Sequence, residues 1–139
     1  MIARLLLRWL GLGRLPARER PALEAEGIRY LQEGIVGSLT YRNFRAPGRR
    51  FRWRRQWFFG AFVVTRGRFA VYAFSRPLLR LDATDARRER MRWSCANDSR
   101  LLLTLDAADL APDQSGTLEL RLAIPAAHRI VDALSIAPS

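Results

Sequence analysis

The chain has 139 residues, 49% of them hydrophobic, with a formal net charge of +11. That length fits one domain able to bury a sizeable core. Its one cysteine, Cys95, excludes an intramolecular disulfide and any multi-cysteine metal site.

The charge is uneven. Residues 1–80 hold 17 Arg against 4 acids (+13), and residues 81–139 hold 7 Arg against 9 acids (−2). A strongly basic half joined to a mildly acidic one points to a polar binding face rather than uniform solubilising charge. All 24 basic residues are arginine. Arginine favours bidentate pairing with phosphate or carboxylate and stacking on aromatic rings. A GC-rich coding bias accounts equally well for the absence of lysine, but not for clustering.

In chain order, Met1–Leu12 places Ile2, Leu5, Leu6, Trp9 and Leu10 on one helical face, with Arg4 and Arg8 away from it. The run is far shorter than the roughly 20 apolar residues that span a bilayer. Arg4 and Arg8 also interrupt any signal-peptide core. Two readings of this helix stand: its apolar face, through Leu5, Leu6, Trp9 and Leu10, inserts in lipid, or it docks on protein. A transit peptide is a third, since residues 1–18 contain no acid. Gly11–Pro21 has the composition of a linker, so the expected organisation is an N-terminal basic amphipathic helix and linker (residues 1–20) and one domain (residues 21–139). Ala22–Glu26 reads as a short helical turn.

From Ile28 the texture becomes strand-like. Ile28–Gln32 and Ile35–Phe44 read as extended, with Glu33-Gly34 a turn or bulge between them. Ala46-Pro47-Gly48 marks a turn, followed by an arginine-rich loop. Trp57–Thr65 is apolar on both faces, as expected of a strand covered on both sides; Trp57, Phe58 and Phe59 are expected in the core. Arg66-Gly67 is a two-residue hairpin loop in which glycine can supply a positive φ, and Arg68–Ser75 returns. Pro77 breaks that run before a short strand at Leu78–Leu81, and Asp82–Glu89 is a charged connection. Arg90–Ala96 alternates, with Met91, Trp93 and Cys95 on one face, which makes Cys95 a core thiol. Asn97-Asp98 turns the chain into Arg100–Leu105. After a polar loop, Asp106–Gly116, the cleanest alternation follows: Leu118, Leu120, Leu122 and Ile124 inward, Thr117, Glu119 and Arg121 outward. Pro125 opens a helix with Ala127, Ile130, Val131 and Leu134 on its apolar stripe and His128, Arg129 and Asp132 facing away.

The functional signal lies between Tyr41 and Trp57. No acid occurs between Glu33 and Asp82, while Arg42, Arg45, Arg49, Arg50, Arg52, Arg54 and Arg55 crowd fourteen residues, with Phe44, Phe51 and Trp53 among them and Trp57 just beyond. Such a cluster without counter-charge is an electrostatic footprint for an anion. The same composition fits an anionic membrane surface, an acidic protein, or a single-stranded nucleic acid held by backbone neutralisation and base stacking. No ribonucleoprotein motif, helix-turn-helix or zinc finger is present.

About seven strands followed by one amphipathic helix resembles the pleckstrin-homology superfold, in its bacterial PH-like, GRAM-like branch. The segment Gly60-Ala61-Phe62-Val63-Val64-Thr65-Arg66-Gly67-Arg68-Phe69 is similar to that family's glycine, apolar strand, threonine, basic turn, arginine, apolar strand pattern. The TYRNFRAPG and SGT segments also resemble stretches of bacterial proteins, a likeness that names no activity. The resemblance spans roughly residues 28–135 in element order. It implies a mainly β fold, a seven-stranded bent sandwich or barrel with a capping C-terminal helix, to which the N-terminal amphipathic helix is added. It also implies a binding module. Family members that bind phosphoinositides use basic residues around the first inter-strand loop, here Arg45–Gln56, and their basic-x-basic pattern is similar to Arg52-Trp53-Arg54. The chain departs from that pattern, since Arg55 rather than an apolar residue follows and arginine replaces the leading lysine.

Catalysis finds little support. His128 is the only histidine and pairs in sequence with Asp132 at i+4, a helix-surface arrangement. Asp106, Asp109 and Asp113 lack the alternation of a calcium loop and read as solvated turn acids. No phosphate-cradling glycine loop, nucleophile elbow or zinc spacing occurs. The expectation is a non-catalytic, cofactor-free module. Its anion-binding residues are Arg42, Arg45, Arg49, Arg50, Arg52, Trp53, Arg54 and Arg55. Its expected place is the cytoplasm, with a peripheral position at the inner face of the cytoplasmic membrane. Single-stranded RNA is the alternative partner.

Overall fold

The structure is a computed structural model that describes residues 13–82, 84–97, 99–125 and 127–135. The N-terminal helix expected at residues 1–12, with Leu5, Leu6, Trp9 and Leu10, lies outside the described residues. The described chain is mainly β. A helix α1 (Arg20–Glu26) precedes strands β1 (Ile28–Ala46), β2 (Arg49–Thr65), β3 (Arg68–Ala73) and β4 (Arg76–Asp82). After a 3-10 turn at Ala86–Arg90 come β5 (Arg92–Asn97), β6 (Arg100–Asp106), β7 (Ser115–Ala123) and α2 (Ala127–Ser135). The seven strands form one open antiparallel sheet in the order β4-β3-β2-β1-β7-β6-β5.

Two compact units share the two long strands. The first takes in the described residues up to Val36 and Phe58–Asp85; the second takes in Gly37–Trp57 and the chain from Ala86 onward.

In the first unit the second half of β2 is buried on both faces, as its continuous apolar run predicts. Ala61 and Val63 on one face pack with Ala70 and Tyr72 of β3 and with Leu15 and Leu23. The cover on that face is therefore α1 and the segment before it. Residues 13–19 are not a free linker: the Leu15 amide donates to the Glu33 carboxylate at 2.8 Å, and the Gly34 amide donates to the Gly13 carbonyl at 2.7 Å. Gly34 has φ 69, so one glycine absorbs the irregularity at Glu33-Gly34 and β1 continues as a single strand.

The Arg66-Gly67 hairpin forms as expected, with Val64 opposite Phe69 and Gly60 opposite Ala73. Its glycine serves a different purpose. Gly67 does not take a positive φ; a Cβ there would lie 2.9 Å from the Glu26 carboxylate. The Thr65 hydroxyl oxygen organises the turn by accepting the Gly67 and Arg68 amides. Pro77 sits inside β4 rather than ending a strand before it, a position open to proline because β4 is an edge.

The second unit is built on the period of two read from its sequence. Trp93, Leu103, Leu120 and Leu39 stand side by side across four strands, flanked by Cys95, Leu101 and Leu122 and by Leu105, Leu118 and Tyr41. α2 packs against β5 and β6 with Ala127 and Ile130 buried and His128 and Arg129 exposed. Cys95 is half-buried at the edge strand rather than fully enclosed. Asp109 is not a solvated turn acid. It accepts from Arg90 at 2.9 and 3.0 Å, its backbone carbonyl accepts from Arg87, and its side chain is 13% exposed.

Candidate functional site

The arginine-rich stretch is a strand ribbon, not a loop. β1 runs to Ala46 and β2 starts at Arg49, leaving only Pro47-Gly48 as the turn. Gly48 has φ 75, and proline followed by a positive-φ glycine is the type II pattern. Aromatic residues favour strands, and arginines tolerate a two-stranded ribbon whose side chains stay in water.

A bulge shapes the ribbon's base. Asn43 takes φ 49 where the β1–β7 register shifts between Arg42 and Arg45. The extra residue puts Tyr41 and Phe44 side by side, ring centroids 4.9 Å apart, and Phe51 completes the cluster at 5.5 and 5.9 Å. Gly116 on β7 makes room for the bulge: a Cβ there would come within 2.5 Å of the Asn43 carbonyl. The Tyr41 hydroxyl donates to Gln56. Phe44 is 3% exposed and anchors this cluster, so its ring is not open to a ligand as those of Trp53 and Trp57 are.

The seven arginines divide by what they touch. Arg42 pairs with Glu119 at 2.6 Å, which removes it from the set available to a ligand. Arg55 donates to the Thr40 hydroxyl at 3.1 Å, and its guanidinium lies 5.4 Å from the Trp53 ring and 5.9 Å from the Trp57 ring. Arg54 and Arg49 lie 4.8 and 5.8 Å from the Phe51 ring. Arg45, Arg50 and Arg52 line an open groove of about 220 Å³ with Asn43, Phe44 and Phe51. Among the described residues, Arg45, Arg49, Arg50, Arg52 and Arg54 meet no carboxylate.

Trp53 and Trp57 are 54% and 65% exposed. Phe58 and Phe59 are core, as expected, but Trp57 is not. The alternation Trp53-Arg55-Trp57 within one strand carried that information, and it is masked when the stretch is read as a loop. Thr40, which is fully buried, and Glu119, opposite it across the β1–β7 pair, fix Arg55 and Arg42; nothing in the sequence marked either for that role.

The described residues contain no group of three or more His, Cys, Asp or Glu able to hold a metal ion, and no helix long and apolar enough to cross a membrane. No protein-family model matches this chain, and no curated protein matches it. Chemically, the arrangement offers an anion an open guanidinium-lined groove with no carboxylate in its lining among the described residues, on a ribbon that also exposes two tryptophans.

Proposed function

We propose that this chain is a non-catalytic, bacterial PH-like binding module that docks through the Tyr41–Trp57 hairpin on an anionic membrane surface or an acidic protein. The observation that carries the reading is that Arg45, Arg49, Arg50, Arg52 and Arg54 meet no carboxylate among the described residues, on the same ribbon that exposes Trp53 and Trp57. The order of seven antiparallel strands and a closing helix supports the PH-like assignment.

Magnitudes favour more than one attachment signal. Basic groups near an anionic leaflet contribute about 1 kcal/mol each. Five give an affinity near the millimolar range, since about 4 kcal/mol corresponds to a 1 mM Kd. Trp53 and Trp57 add interfacial contact, where tryptophan is favoured. The apolar side chains Leu5, Leu6, Trp9 and Leu10 supply the second signal that stable attachment needs. The location that follows is cytoplasmic, peripheral at the inner face of the membrane.

The exposed rings also favour a second reading, single-stranded RNA stacked on Trp53 and Trp57. Co-sedimentation of the full chain with anionic and neutral vesicles separates the two, run beside an oligonucleotide titration at several salt concentrations. Membrane docking predicts retention on anionic vesicles only, lost when Arg45, Arg50 and Arg52 are changed to glutamate. RNA binding predicts a steep salt dependence and no preference for anionic vesicles. Retention of the charge-reversed protein on anionic vesicles contradicts membrane docking through the hairpin.

A further inference from the structure

The hairpin offers a backbone as well as charge. In the sheet β2 has β1 on one side and β3 on the other, but its pairing with β3 runs only from Gly60 to Val64. Within the second unit, Arg49–Trp57 therefore has β1 along one edge and no strand along the other, among the described residues. At about 3.3 Å per residue this edge is roughly 30 Å long. Alternate N–H and C=O groups point off it, and such a row is a template for an added strand.

We propose that the free edge of Arg49–Trp57 takes an acidic, extended segment of a partner protein as an additional β-strand. This rests on the anion-docking reading and specifies its protein branch. Charge selects the occupant. A second copy of the hairpin would set arginines opposite arginines, and like charges directly across a strand pair are destabilising. Residues 1–18 of this chain contain four arginines and no acid, so they are equally unsuited. An acidic strand would bring carboxylates to within cross-strand distance, about 5 Å between Cβ atoms, of Arg50, Arg52 and Arg54, which alternate onto one face of the strand. Trp53 and Trp57 would then cover its apolar side chains. Nucleic acid and lipid headgroups neutralise the same arginines but have no amide ladder with which to complete the edge.

The test uses the full chain and a nine-residue peptide alternating glutamate and valine. A peptide of the same sequence methylated on every backbone nitrogen serves as control, and anionic vesicles as a parallel arm. Strand addition predicts slowed amide exchange at alternate residues of Arg49–Trp57, and at least tenfold tighter binding of the unmethylated peptide. Equal binding of both peptides, or binding without alternating protection, overturns strand addition and leaves charge-driven docking in place. Binding to anionic vesicles with no peptide binding likewise overturns it without touching the membrane branch. Failure of both peptides and of the vesicles overturns the docking reading as well.

Discussion

Arg20, Arg68 and Arg80 of the first unit each meet carboxylates, whereas Arg45, Arg49, Arg50, Arg52 and Arg54 of the second unit's hairpin meet none among the described residues. Arg20 reaches Glu33 at 2.8 Å and Glu24 at 3.8 Å, Arg68 reaches Glu26 at 2.9 Å, and Arg80 pairs with Glu19. Those four glutamates are all the acids in the first 80 residues. In the first unit Glu19, Glu26 and Glu33 tie α1 and the preceding segment to its strands and Glu24 pairs within α1, whereas the hairpin meets only Glu119 among the described residues, through Arg42. The same residue type is structural in one place and available in the other, and the distribution of acids decides which.

The largest expected effect separates hairpin shape from hairpin charge. Gly116 has φ 107 and faces the Asn43 carbonyl closely, so Gly116→Ala combines backbone strain with overlap. It should destabilise the protein by about 3 kcal/mol in chemical denaturation. A neutral outcome would mean that the bulge does not hold the Tyr41, Phe44 and Phe51 cluster in place.

Next comes Glu33, which accepts both the Leu15 amide and Arg20. Replacing it with alanine leaves a part-buried donor unsatisfied and should cost about 1–3 kcal/mol. A smaller effect should appear at high pH. Burial raises the pKa of Tyr30 and, together with Glu19, that of Tyr72, above the ordinary 10.0. A raised folded-state pKa means stability that is fully present below the unfolded value and is lost as pH rises above about 10 through the folded value. Denaturation midpoints should fall over that window, and less steeply in Tyr72→Phe.

The smallest stability effect belongs to the hairpin. Arg52→Gln should change stability by no more than about 0.5 kcal/mol, because it breaks no ion pair and relieves like-charge crowding. A loss as large as that at Glu33 would erase the distinction between the two sets of arginines.

Strand alternation made β5, β6 and β7 legible, because one face is buried and the leucines at 101, 103, 105, 118, 120 and 122 mark it. The second half of β2 was legible as a strand covered on both faces. The hairpin was not, since a two-stranded ribbon keeps its side chains in water and so has the composition of a loop; Trp57 was accordingly expected in the core. Long-range pairing left no local trace either. Arg42 and Glu119 are 77 residues apart, and residues 13–19 read as a linker because their partners lie on β1 and β2. The arginine cluster itself was visible, but which members stay free depended on those distant carboxylates.

The most direct test of the central claim compares the full chain with its R45E/R50E/R52E variant against anionic vesicles, neutral vesicles and the glutamate–valine peptide in one titration series. The unmodified protein should bind at least one anionic probe and not the neutral vesicles. The variant should unfold at the same denaturant concentration and bind that probe at least tenfold more weakly. Equal binding by the variant, or no binding of either anionic probe by the unmodified protein, would contradict that claim.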